Sequence, residues 1–175
     1  LSPSTHIENA ISTETPYIAT IWVHTYTNQP PIIGAAVLDG TTGTTRTYAT
    51  TGKGRPDIWT ADDMVQLLTV YPPKEVLIHW FASAAPDDAA MRRQFGLSSS
   101  ITLHRRVHDT MGSFEHELVR GEYLQKIYAV KSVLPIRTYL GFRSLQEELA
   151  LLYLLQFIEE HDTNLLQSLH RNETW

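Results

Sequence analysis

The chain has 175 residues, 42% of them hydrophobic and 19% charged, which suits one domain with a real core and excludes wholesale disorder. It contains no cysteine, so disulfides, thiolate zinc sites and a cysteine nucleophile are excluded. The formal net charge of -5 argues against a domain whose main task is gripping nucleic acid, because such surfaces are usually basic.

No stretch reaches the roughly 18 continuous apolar residues of a membrane span, and the start carries no basic-then-apolar signal pattern. An intracellular setting is expected. The chain begins with Leu1 and ends at RNETW, and reads as a piece of a longer protein.

In chain order, residues 1–16 are polar, with two prolines and many Ser and Thr, and read as a linker. YIATIWVH (17–24) is rich in β-branched and aromatic residues and predicts a buried strand. TYTNQPP (25–31) is a turn and IIGAAVLD (32–39) a second strand. DGTTG (39–43) is a tight connection, and TTRTYAT (44–50) a third strand. Three strands on short turns predict an antiparallel meander.

TGKGRPDIW (51–59) is a loop. Thr60 can cap the helix that follows, with Asp62 and Asp63 in its first turn and Met64, Leu67 and Leu68 on one face. Pro72 and Pro73 stop that helix. KEVLIHW (74–80) is apolar on both faces at its centre, as in a central strand with a parallel neighbour. A short helix follows from Pro86 to the stop at Gly96, and ITLHRRV (101–107) predicts a fifth strand. From about residue 113 helix dominates, with a break at Pro135. SLQE (144–147) is a capping box with Ser144 as the cap. The helix behind it, EELALLYLLQFIEE, is apolar nearly all round, as in a helix buried within a larger assembly. NLLQSLH (164–170) adds a last helical piece.

The order of elements resembles a ribonuclease H-like fold, a mixed five-stranded α/β sheet with its antiparallel strands to one side and helices on its faces. An active member would cluster carboxylates on the sheet to hold two divalent metals. Strand one offers none. The first helix has only Asp62 and Asp63, and the end of strand four gives His79 and Trp80. Asp39 cannot hold a metal pair by itself and reads as hairpin punctuation, with Gly43 in a left-handed position. His104 and His108 are four apart, but on a strand that spacing separates them, so a metal site is not expected there. Lys53 and Arg55 lie in a glycine-rich loop that lacks the P-loop signature and could touch a phosphate backbone. No Ser, His and acid set has motif context. The expectation is no catalytic, cofactor-binding or metal-binding residue in this chain.

Several pieces together resemble the MutS family of DNA mismatch-repair proteins, at its connector domain. Ser2, Pro3, Ser4 and Thr5 resemble the family's Thr-Pro-Gly-Thr element, with Ser4 in place of Gly. Gly34, Ala35, Asp39, Thr42 and Gly43 follow the family's second-strand pattern. Pro73, Glu75, Val76 and Leu77 resemble its Pro-x-Glu and strand, and LALLYLLQFIEEHDTNLLQSL the helix that leaves the connector. Residues 96–143 depart from ordinary bacterial members and resemble divergent MutS-like branches.

The resemblance implies residues 1–16 as a linker, 17–142 as the connector and 143–175 as a helical exit segment toward a lever and core domain. It implies a non-enzymatic domain that relays conformational change to the other domains of a MutS-like chain and can dock a MutL-like partner. ATP, magnesium and mismatched DNA would bind elsewhere in the full-length protein, in a nucleoid, an organelle or a viral factory. The fragment alone would bind DNA weakly or not at all. Two alternatives remain open: a ribonuclease H-like metal-dependent nuclease and a free-standing protein-interaction module.

Overall fold

β1 (Tyr17–His24), β2 (Ile32–Asp39) and β3 (Thr45–Ala49) form the expected meander in a computed structural model that describes residues 15–50, 59–82 and 84–171. α1 (Trp59–Val70) leads to β4 (Pro73–Phe81), and α2 (Asp88–Gln94) to β5 (Thr102–His108). A short 3-10 turn at Ser113–Glu115 precedes α3 (Glu117–Tyr128), α4 (Val133–Leu140), α5 (Leu145–His161) and α6 (Thr163–Arg171). The strand order is β3-β2-β1-β4-β5. β2 runs antiparallel to β1, and β4 and β5 run parallel to it. This is the ribonuclease H-like, mixed five-stranded sheet with flanking helices.

The two sheet faces have different partners, and chain handedness explains which. Both helical crossovers, β3 through α1 to β4 and β4 through α2 to β5, step in the same direction across the sheet, so right-handed connections put α1 and α2 on one face. There Ile21, Val37 and Ile78 pack with Met64, Leu67, Met91 and Phe95. The period-2 alternation of a strand sends Ile18, Trp22, Leu38, Leu77 and Phe81 to the other face, against α3, α4 and α5.

α5 supplies most of that second layer. Leu149, Leu151, Leu152, Leu154 and Leu155 are fully buried, so the helix that reads as apolar all round is buried within this chain rather than by a larger assembly. Its cap is as expected, with Ser144 Oγ accepting from Glu147 N at 3.3 Å. The Glu147 carboxylate reaches back to the amide of Arg143, one residue before the cap. The start of α5 lies so close to β2 that a Cβ on Gly34 would fall 2.2 Å from the Gln146 carbonyl oxygen. Glu148, buried, binds Arg137 at 2.7 Å and lies 3.8 Å from Arg120, tying α3 and α4 to α5.

Four local expectations are corrected. α1 starts at Trp59, so Thr60 lies inside the helix and does not cap it. α2 is capped by Asp87, whose Oδ1 accepts from Ala90 N at 2.8 Å, so Pro86 stands before the helix. Pro135 falls in the first turn of α4, where its missing N–H costs nothing, and starts a helix instead of breaking one. β5 extends to His108, one residue beyond the expected end. No helix among the described residues is long and apolar enough to cross a membrane.

Candidate functional site

In an open sheet with parallel strands, sites form outside the carboxyl ends of those strands. Here β1, β4 and β5 end side by side. The register pairs Trp22 with His79 and His79 with Arg106, then His24 with Phe81 and Phe81 with His108. Alternation puts all six on one face, the one under α5. Two rows result, Trp22–His79–Arg106 and His24–Phe81–His108.

His79 Nδ1 and His108 Nε2 are 2.8 Å apart and share a hydrogen bond across the two strands. Tyr153 of α5 stacks on His79 with ring centroids 4.2 Å apart, and Phe81 stacks on His108 at 4.5 Å. His24 lies stacked toward Phe81, and Tyr26, just past the end of β1, lies over His24 at 4.1 Å. The rings form a continuous line from the α5 side of the sheet to the open end of β1.

The electrostatics follow from burial. His79 is 6% exposed. Burial, then the neighbouring His108 and Arg106, push its imidazole down to about 3, so it is neutral at physiological pH. Burial and Arg106 also lower His108, which is only half-buried. Burial raises the Tyr153 phenol to about 12. Two neutral imidazoles bonded to each other can hold one tautomer and pass a proton. With the shared proton on His108 Nε2, His108 Nδ1 is a free base. On β1, the buried atoms Thr20 Oγ1, Trp22 Nε1 and His24 Nδ1 have no hydrogen-bond partner among the described residues.

This is the face on which a metal-dependent member of the fold would present its acids, and the residues present do not fit that chemistry. Two hard divalent ions need several convergent carboxylates. The strand positions hold Thr20, Trp22, His79 and Phe81 instead, and no group of three metal-ligating side chains exists among the described residues. His104 and His108 are kept apart by the strand, as expected. His104 packs on Phe157 with its Nε2 4.0 Å from Glu75.

Asp39 lies at the other end of the sheet, paired with Tyr17 at the start of β1. Its Oδ1 accepts from Thr41 N at 2.8 Å and Thr42 N at 3.3 Å, and Gly43 takes φ 73°. Lys53 and Arg55 lie outside the described residues. Sequence reasoning noted His79 and His108 separately and missed their pairing. The available signal was that KEVLIHW and ITLHRRVH are parallel neighbours whose histidines fall on the same face.

No family model matches the chain, and no curated protein matches it. Similar solved structures do exist. A Holliday junction resolvase of fowlpox virus matches at 15% identity and TM-score 0.49, covering 82% of this chain and 99% of that one. RuvC of T. thermophilus, solved with a Holliday junction substrate, matches at 12% identity and TM-score 0.35, covering 84% and 96%. The nuclease domain of the large terminase subunit of bacterial virus Sf6 matches at 14% identity and TM-score 0.36, covering 78% and 63%. At these identities and TM-scores the likenesses carry no activity over to this chain.

These similar structures are resolvases and a nuclease domain, not MutS connector domains. The expected membership of the MutS family is therefore corrected. With it go the mismatch-repair and connector functions and the expectation of a non-enzyme. The physical reason lies in what the resembling residues do. Gly34 makes room for the α5 backbone, Asp39 and Gly43 build a hairpin turn, and Pro73 begins β4. A mixed sheet of this topology needs such residues whatever its task. Ser2, Pro3, Ser4 and Thr5 lie outside the described residues.

Proposed function

We propose that the chain is a nuclease-type domain of ribonuclease H-like architecture that acts on a nucleic-acid strand through imidazole chemistry in place of paired carboxylates. The observation that carries this reading is the His79–His108 hydrogen bond of 2.8 Å at the carboxyl ends of two adjacent parallel strands. His108, half-buried with a lowered pKa, accepts a proton from a water whose oxygen bonds to phosphorus as the phosphorus–oxygen bond to the departing strand breaks, and the leaving oxygen takes its proton from solvent. His79 is a positioning residue, because it fixes the tautomer of His108 as the orienting member of a base pair does. Arg106, exposed on the same face, supplies positive charge for the phosphate oxygens. With a net charge of -5, affinity of the chain for nucleic acid is weak and local.

The test is a cleavage and binding assay of the purified chain on a four-way junction, a duplex and a single strand, with and without magnesium or manganese. Cleavage should be lost in His108→Ala and kept in Asp39→Asn. A chain that neither cleaves nor binds any of the three, or whose cleavage is indifferent to His108→Ala, sinks the reading.

A further inference from the structure

We infer that the outer end of the ring stack, His24 and Tyr26, is a subsite for an unpaired nucleobase, with Arg106 as the contact for the strand's phosphate. This deepens the proposed function and rests on it. Tyr26 is 46% exposed although its ring packs 4.1 Å from His24. Its outer surface thus continues a line of rings that runs inward through His24 and Phe81 to His108. An aromatic ring held rigidly on one side and open on the other gives a base a preformed stacking surface at little entropic cost. A paired base in a duplex has its faces covered by its neighbours, so the subsite selects unpaired nucleotides.

Charge on the same face agrees. Among the described residues no carboxylate lies within salt-bridge distance of Arg106, whose one hydrogen bond goes to the Arg105 carbonyl at 3.1 Å. Arg105, by contrast, points to the other face and lies 3.9 Å from Asp88. Arg106 lies two strands from His24 and two residues back along β5 from the His24–Phe81–His108 row, which strand spacing and rise put at about 12 Å from His24.

The experiment is fluorescence anisotropy of the whole chain with a labelled short oligothymidylate and with the corresponding duplex. The single strand should bind more tightly. Tyr26→Ala should weaken it about tenfold while Tyr26→Phe keeps it. Arg106→Gln should weaken binding and lower the salt slope by about 1. Tyr26 is exposed, so its variants fold. If the duplex binds or is cleaved while Tyr26→Ala changes nothing, the subsite is refuted and the nuclease-type reading stands. If no nucleic acid binds or is cleaved, both fall.

Discussion

Acid should destabilise this protein well above the pH at which carboxylates titrate, and His79 sets the effect. Its imidazole is held at about 3 in the folded chain by burial, against an ordinary value of 6.5. As the pH falls through 6.5 the unfolded chain takes up a proton that the folded chain refuses, so stability rises with pH between about 3 and about 6.5 and is lost on acidification. At 1.36 kcal/mol per pH unit, the loss between about pH 7 and about pH 5 is about 2 kcal/mol from this residue. His108 and His24 are lowered too and act in the same direction. Glu159, lowered by its bond to Lys126, contributes only at more acidic pH, below its ordinary 4.5. Urea unfolding of the wild type and His79→Phe at several pH values reads the term directly. The variant keeps a ring against Tyr153 and should show a stability slope shallower by about 2 kcal/mol over that range. Parallel slopes for the two proteins would refute the reasoning.

Gly34→Ala should cost about 3 kcal/mol or prevent folding, since the new methyl meets the Gln146 backbone and not a yielding side chain; thermal melting checks it. Glu148→Gln leaves Arg137 and Arg120 without their buried counter-charge and should cost about 3 kcal/mol, measured by urea unfolding. Asp39→Ala removes the turn bonds to Thr41 and Thr42 and should cost about 1 kcal/mol; a loss several times larger would mean that Asp39 does more than hold a turn.

The sheet was legible because its strands announce themselves. YIATIWVH and IIGAAVLD carry β-branched runs bounded by Pro and Gly, and the two-faced apolar centre of KEVLIHW marks a strand between parallel neighbours. Helix starts were less so. Pro86 reads as the first helical residue, and only the bond from Ala90 to Asp87 shows that α2 starts at Asp88, after its cap. Pro135 read as a break because proline both ends and begins helices, and the difference lies in the turn it joins. The site was the least legible part. Its residues come from three strands and α5, and nothing in the sequence states the register that brings His79 to His108. The MutS resemblance misled because turn and packing residues recur wherever the same backbone geometry recurs.

The close seat of α5 on Gly34 has a consequence for synthesis. Gly34 and Gln146 are separated by roughly a hundred residues of chain, and chains elongate at about 5–20 residues per second. The meander can pair soon after β3 leaves the ribosome, but the face carrying Trp22, Leu38 and Ala36 lacks most of its cover until Leu145–His161 emerges. For on the order of ten seconds, a nascent sheet with a greasy face waits for its lid. This protein should therefore depend on chaperones that hold apolar surface during translation, and mutations that slow the arrival of α5 should lower its yield more than its final stability.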